Sequence, residues 1–233
     1  MADDHLSILA RAGLDRAEAE SVVGEALAGA DDGELYLEYA ESEGLVFDNG
    51  RLANASYDSR QGFGLRAVAG EAVGYAHSGE VSIDAIRRAG EAVASVKAGR
   101  SGTLAEAPAG INRRLYTDEN PLGSPSFAEK VRLLEEIDAY ARAKDPRVRQ
   151  VSASLAGSWQ IVEILRPDGT FRRDIRPLVR VNVSIVAGEG DRQEQGSYGM
   201  GGREAFGSFV ATGSWKHAAD EALRQALVNL EAI

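Results

Sequence analysis

The segment 61–78, QGFGLRAVAGEAVGYAHS, constrains the fold more than any other part of the chain. A glycine-containing tetrapeptide, AGEA, separates Val68 from Val73, and aromatic and β-branched residues lie on both sides of it. A glycine turn between such runs is typical of a β-hairpin. We therefore predict two strands here. Phe63, which lies between two glycines, is expected to be a core residue.

The rest of the chain predicts an α+β fold, in which antiparallel β-meanders carry flanking helices. Helix starts are indicated by Asp15 with Glu18 and by Ser126 with Glu129, which have the spacing of a capping box. Apolar residues follow both signals at helical spacing. Between the helices, runs of alternating apolar and polar residues are punctuated by turn sequences, such as the Asp-Asn-Gly at 48–50.

Turn glycines recur at similar spacing in the two halves of the chain. Gly70 follows Gly50 by 20 residues, and Gly188 follows Gly169 by 19 residues. This predicts a duplicated helix–meander–helix unit, with a first half at 1–98 and a second half at 126–233. A segment rich in glycine and proline, 99–125, is predicted to connect them. Chance recurrence of such turns is the alternative.

In the second half the pattern predicts short strands at 148–155, 159–165, 170–175 and 178–187. Pro177 is expected to interrupt a strand, because proline cannot donate a ladder hydrogen bond. This would separate the members of a local basic patch, which comprises Arg172, Arg173, Arg176 and Arg180. The patch either contacts a carboxylate or a partner, or forms ordinary surface and intramolecular salt bridges.

The hairpin segment and the preceding LYLEYAESEGLVFDNGRLANASYD resemble the N-terminal half of the TldD-type subunit of the TldD/PmbA family. Further similarities are LYTDENPL at 115–122, GMGGRE at 199–204 and QALVNLEAI at 225–233, in the family's order. The family was first named for modulation of DNA gyrase. The resemblance implies a zinc metallopeptidase that is assembled as a heterodimer of two related subunits, one TldD-like and one PmbA/TldE-like.

The motif that binds zinc in the resembling enzymes, HExxxH with a later thiolate ligand, is not in this chain. His5, His77 and His217 are far apart, none precedes a glutamate, and there is no cysteine. Zinc requires three or four ligands at fixed geometry. The resemblance places the motif shortly after the end of this sequence. We therefore predict no catalytic or metal-binding residue here, and expect zinc in the full-length protein only.

Charge and composition exclude some function classes. The net charge of −10 argues against direct binding of nucleic acid. No apolar window approaches the roughly 20 residues of a membrane-spanning helix. The absence of cysteine fits a reducing cytoplasm, which we predict as the location.

Three residues of the hairpin are candidates for substrate or partner contact: Arg66, Tyr75 and His77. Tyr75 and His77 are two positions apart and should face the same side of a strand. His77 either faces a substrate channel or is a structural histidine with satisfied hydrogen bonds. Arg66 either pairs with a carboxylate inside the fold or contacts the substrate.

The main functional hypothesis is the N-terminal, substrate- or partner-binding domain of a TldD-like zinc metallopeptidase subunit. Such a subunit would act on peptides or unfolded proteins, and this chain would be inactive in isolation. One alternative is a non-catalytic adaptor that modulates DNA gyrase or its inhibitors. The other is the PmbA-like, non-catalytic partner subunit, which the hairpin sequence resembles less closely.

Overall fold

The computed structural model describes residues 4–97 and 115–232 of the chain. The helices are α1 (Ile8–Arg11), α2 (Arg16–Ala26), α3 (Ile83–Lys97), α4 (Phe127–Lys144), α5 (Gly207–Val210) and α6 (Thr212–Glu231), with 3-10 helices at Asp4–Leu6 and Pro121–Gly123. The strands are β1 (Asp32–Asp48), β2 (Arg51–Ala69), β3 (Ala72–Ser78), β4 (Val148–Leu165), β5 (Phe171–Glu189) and β6 (Arg192–Gly202). The predicted α+β fold with antiparallel meanders and flanking helices is confirmed.

The capping signals start the helices as predicted. Asp15 accepts a hydrogen bond from the backbone N–H of Glu18 at 3.0 Å, at the start of α2. At the start of α4, Ser126 Oγ accepts from Glu129 N at 3.4 Å and Glu129 Oε2 accepts from Ser126 N at 2.8 Å. These bonds satisfy N–H groups that a helix leaves unpaired at its first turn. None of the described helices is long and apolar enough to span a membrane.

Four strands are unusually long. β1, β2, β4 and β5 contain 17, 19, 18 and 19 residues, whereas strands usually have about 5–6. The predicted strands 148–155 and 159–165 are one strand, β4, so their separation was wrong. Gly157 lies within β4 for a packing reason: a Cβ there would lie 2.7 Å from Cδ2 of Leu122. The glycine makes room for a neighbouring side chain and does not mark a turn.

Pro177 lies within β5 and does not interrupt it, so this prediction was also wrong. β6 pairs with β5 only from Val179 onward, and the described residues provide no other strand on that side. Proline is tolerated at such an edge, where no ladder bond from its nitrogen is needed. Because β5 is continuous, Arg172, Arg176 and Arg180 share strand parity.

The strands form one sheet in the order β3-β2-β1-β4-β5-β6, so each half of the chain contributes a three-strand meander. The first turns contain Gly50 and Gly169, with φ of +83° and +78°, and the second contain Gly70 and Gly190, with φ of +61° and +59°. Positive φ favours glycine at all four positions. The counterpart of Gly70 is therefore Gly190 and not Gly188, which lies inside β5.

Residue contacts divide the described chain into two units, and each of the four long strands contributes to both. Unit 1 comprises 4–40, 59–97 and 160–175, and unit 2 comprises 41–58, 115–159 and 176–232. The division at 1–98, 99–125 and 126–233 stays a prediction. Residues 99–114 of the predicted connecting segment lie outside the described residues.

In unit 1, helices α1, α2 and α3 pack with the strands around an apolar core. Its most buried side chains include Leu9, Val23, Leu35, Leu37, Phe63, Leu65, Ile86 and Ile161. A charged group is buried with them: Glu163 of β4 is 0% exposed. Its Oε2 accepts from the backbone N–H of Ile8 at 3.1 Å, and its Oε1 is 2.9 Å from Arg173 Nη2. Glu163 thus fastens the start of α1 to the sheet.

In unit 2, α4 and α6 cover the sheet, and the core is larger. It includes Leu45, Phe47, Leu134, Ile137, Val151, Leu155, Val181, Val183, Ile185, Phe206 and Trp215. Lys130 of α4 is 1% exposed, and its Nζ donates to the carboxylate of Glu43 and, at 2.7 Å, to the carbonyl of Leu122. These bonds join α4 to β1 and to the 3-10 helix Pro121–Gly123.

Helix α6 lies directly on β6 at Gly196. A Cβ at this position would lie 2.5 Å from the backbone N of Ala226 and would also clash with the carbonyl of Ala222. We expect Gly196→Ala to lower the free energy of unfolding by about 1–3 kcal/mol, because overpacking displaces the helix backbone. Chemical denaturation followed by circular dichroism measures this loss.

Gly213→Ala is the matched control, because a Cβ at Gly213 meets nothing within 4 Å. It lies in α6 and should leave stability unchanged or raise it slightly. An equal loss in both variants would contradict the packing argument.

Candidate functional site

Residues 51–58 of β2 lie at an edge of the sheet, which we call the open edge. β3 pairs with β2 only from Phe63 onward, and the described part of the chain places no other strand on that side. All eight residues are exposed, including Leu52 at 37% and Tyr57 at 63%. Proteins usually protect such edges with charges, proline or a covering element. Positions 52–57 carry no charge and no proline.

The β2–β3 hairpin brings the three predicted contact residues to one face. Arg66 lies opposite Tyr75, and Gly64 lies opposite His77. Because residues two apart share a face, Arg66, Tyr75 and His77 are neighbours there. The Tyr75 and His77 rings stack, with centroids 5.9 Å apart and an interplanar angle of 26°. Their role in contacting a substrate or partner stays a prediction.

A groove, which we call the Tyr75 groove, has a volume of about 300 Å³ and is bordered by Tyr75, His77, Gly62 and Gly64. Tyr75 is 66% exposed. Its ring lies over Gly64, where a Cβ would be 2.8 Å from Tyr75 Cζ. Only glycine therefore lets the ring lie flat on the sheet. His77 is exposed, and whether it faces a substrate channel or is a structural histidine stays a prediction.

Charged residues also border the Tyr75 groove. Tyr36 donates its hydroxyl hydrogen to Glu38 Oε2 at 2.8 Å, and Arg60 Nε is 3.6 Å from Glu38 Oε1. Sequence reasoning missed Tyr36, Glu38 and Arg60 as site residues. The signal was limited to strand parity, since Tyr36 and Glu38 are two positions apart.

Arg66 does not line this groove and is held by carboxylates. Its Nη2 lies 2.8 Å from Asp32 and its Nε lies 3.2 Å from Glu34. Asp32 also pairs with Arg166 at 2.9 Å. Burial raises the pKa of Asp32, but the hydrogen bond from Arg66 and the positive charge of Arg166 outweigh it, so that this pKa lies below its usual value. Of the two interpretations of Arg66, the structure shows the one in which Arg66 pairs with carboxylates inside the fold.

The four arginines of the basic patch do not form a single site. Arg173 faces the other side of β5 and pairs with Glu163 at 2.9 Å. Arg172 donates to the neighbouring carbonyl of Phe171. Arg180 donates from Nε to Asn182 Oδ1 at 2.9 Å and is exposed. An intramolecular salt bridge therefore accounts for Arg173, whereas the exposed Arg180 bonds to the uncharged side chain of Asn182.

The described residues do not fit a zinc site. Among them, no group of three or more His, Cys, Asp or Glu side chains is placed to hold a metal ion. His5, His77 and His217 lie in a 3-10 helix, in β3 and in α6 respectively. Since zinc needs three or four ligands, no catalytic step is assigned to a metal in this chain.

Two domain models of one family match the chain. The PmbA/TldA metallopeptidase domain 1 matches residues 33–96, and the PmbA/TldA metallopeptidase central domain matches residues 120–230.

Curated relatives match most of the chain. It is 37% identical over 211 residues to a metalloprotease TldD homolog of Haemophilus influenzae, an alignment that covers 87% of this chain and 44% of that protein. It is 32% identical over 209 residues to a metalloprotease TldD homolog of Buchnera aphidicola subsp. Schizaphis graminum, covering 87% and 43%. The chain therefore spans less than half the length of these relatives.

Solved structures share the fold. TldE from Thermococcus kodakarensis superposes with a TM-score of 0.74 at 15% identity, covering 90% of this chain and 47% of that one. A candidate modulator of DNA gyrase from Bacteroides thetaiotaomicron gives a TM-score of 0.70 at 15% identity, covering 94% and 50%.

Proposed function

Because the chain belongs to the PmbA/TldD metallopeptidase family, we propose that it is the substrate- and partner-binding part of a TldD-like zinc metallopeptidase subunit. The complete subunit acts on peptides or unfolded proteins in the cytoplasm, and this chain alone is inactive. The matches to domain 1 and to the central domain support this assignment. So does the length of the TldD homologs, which extend well beyond the part that this chain spans.

The open edge of β2 is the main observation that supports the proposal. An unpaired strand offers backbone N–H and C=O groups to an extended peptide, which adds to the sheet as a further strand. Main-chain hydrogen bonds do not depend on the peptide's sequence, so they suit a protein that receives unfolded chains. The run at 52–57 carries none of the charges that normally prevent such pairing, although Arg51 and Asp58 flank it.

The Tyr75 groove, in unit 1, supports a recognition role of its own. Its exposed Tyr75 and stacked His77 provide a flat aromatic face beside the ion pair of Glu38 with Arg60. Aromatic and cationic side chains bind well to an aromatic face. In the proposal, this groove contacts a side chain of a substrate or of the PmbA/TldE-like partner subunit.

Zinc belongs to the complete metallopeptidase in this proposal, where it would supply a Lewis acid for peptide hydrolysis. The residues of this chain bind and orient the peptide and do not hold the metal. The TldE structure that shares the fold supports a pairing of two related subunits.

Proline substitutions at two adjacent positions test the proposal. Neighbouring residues of a strand direct their N–H groups to opposite edges. Of Ala53→Pro and Asn54→Pro, one therefore removes an N–H that faces β1, and the other removes an N–H of the open edge. We expect the second variant to keep its melting temperature and to bind a fluorescent unstructured peptide about three- to tenfold more weakly by anisotropy. Unchanged affinity in the variant that remains folded would overturn the proposal.

The same experiments separate the alternatives. Co-purification of DNA gyrase with a chain that binds no peptide would favour an adaptor role. A complete gene product that contains no HExxxH helix would favour the PmbA-like subunit.

A further inference from the structure

A second cavity lies in unit 2, where β5 and β6 pair near the end of β6. Its volume is about 430 Å³, and the residues that border it include Leu178, Arg180, Gly199, Gly201 and Arg203. This volume is within the range of small-ligand sites. Because three strands separate β2 from β6 in the sheet, the cavity is distinct from the open edge.

The two arginines of this cavity have no carboxylate partner within residues 4–97 and 115–232. Arg180 donates only from Nε, to Asn182 Oδ1, and Arg203 lies over the ring of Tyr116 at 5.4 Å. The chain has a net charge of −10, and other arginines, such as Arg66, Arg147 and Arg173, form ion pairs with carboxylates. Among the described residues, the terminal guanidinium nitrogens of Arg180 and Arg203 form no hydrogen bond or ion pair. They are therefore available to an anion.

Both arginines border the same cavity. Arg180 lies in β5 opposite Gly201, and Arg203 follows directly after β6, which ends at Gly202. Gly199 and Gly201 add no side chain between them. The Asn182 bond and the Tyr116 ring each orient one guanidinium group.

We propose that Arg180 and Arg203 bind a carboxylate group of a peptide. Guanidinium groups bind carboxylates through paired, charge-assisted hydrogen bonds. Leu178, which is 46% exposed and lies two positions before Arg180 on β5, provides an apolar wall beside them. That wall suits the side chain attached to the carboxylate, whereas a phosphate ion would gain nothing from it. The carboxylate comes from the C-terminus of the peptide or from an acidic side chain.

This inference goes beyond the proposed function, which rests on the open edge, and its test has a separate readout. The chain is labelled with ¹⁵N, and the Nε–H signals of Arg180 and Arg203 are followed by NMR. The probes are an acetylated tripeptide Ala-Ala-Leu with a free C-terminus, its C-terminal amide, and amidated Ala-Glu-Leu and Ala-Gln-Leu. Comparing them separates a terminal from a side-chain carboxylate.

We expect at least one carboxylate-bearing peptide to shift both arginine signals, with an affinity about tenfold above that of its uncharged counterpart. Arg180→Gln and Arg203→Gln should each lower this affinity about tenfold. Arg149→Gln removes an equal charge from an exposed position on β4, outside the cavity, and should not change it. The proline variant that closes the open edge should also leave it unchanged.

Three results would overturn the inference. The first is equal binding of charged and uncharged peptides. The second is an equal loss of affinity in Arg149→Gln, which would show a non-specific effect of charge. The third is inorganic phosphate binding at least as tightly as the carboxylate peptides. Loss of binding at the open edge alone would contradict the proposed function and leave the carboxylate site intact.

Discussion

Replacing Lys130 by methionine is expected to lower the free energy of unfolding by about 3–5 kcal/mol, because a buried ion pair loses one partner. Methionine keeps most of the side-chain volume, so the change isolates the charge. Glu43, whose side chain is 14% exposed, would keep a negative charge without its ammonium partner. The carbonyl of Leu122 would also lose its donor. Urea denaturation, followed by the fluorescence of the buried Trp159 and Trp215, measures the loss.

Two further variants serve as comparisons for that result. Lys144→Met removes an ion pair of 3.0 Å with Asp220, but Lys144 is 41% exposed, so the loss should be far smaller than that of Lys130→Met. Adding Glu43→Leu to Lys130→Met removes the orphaned charge and should recover most of the stability. If Lys130→Met costs no more than Lys144→Met, the buried pair does not hold α4 to β1 as described.

Phe63→Ala is expected to cost about 3–5 kcal/mol, because it leaves a cavity in the core of unit 1. Phe63 is 3% exposed although it borders the Tyr75 groove. The measurement is again the free energy of unfolding. Phe127→Ala, at a residue that is 52% exposed, is the control and should cost less than about 1 kcal/mol. A loss under about 1 kcal/mol for Phe63→Ala would show that its ring contributes little to the core.

The element types were predictable because local signals sufficed for them. The capping residues Asp15 and Ser126 start their helices, and the glycine turn after Ala69 joins β2 to β3 as expected. Strand ends were less predictable, because Gly157 and Pro177 normally disrupt strands. Here one makes room for Leu122, and the other lies where β6 is not yet paired. Both reasons depend on neighbours that are distant in sequence.

The candidate sites were predictable only in part, for the same reason. Parity alone placed Tyr75 and His77 on one face of β3, and their rings do stack. The pairing of Arg60 with Glu38 depends on the register between strands, which the sequence does not specify. The position of Arg203 at the same cavity as Arg180 likewise depends on the pairing of β5 with β6, because Arg203 follows directly after β6.

The central position of β1, between β2 and β4, has a consequence for how the chain is made. Ile8 and Leu9 donate to Glu163, which follows them by 155 and 154 positions. During synthesis, one side of β1 and the N–H groups at the start of α1 lack these partners until β4 has been made. Contacts this far apart in sequence form slowly, and unpaired strands are prone to aggregate in the meantime. We therefore expect nascent chains to expose this side of β1 until β4 emerges.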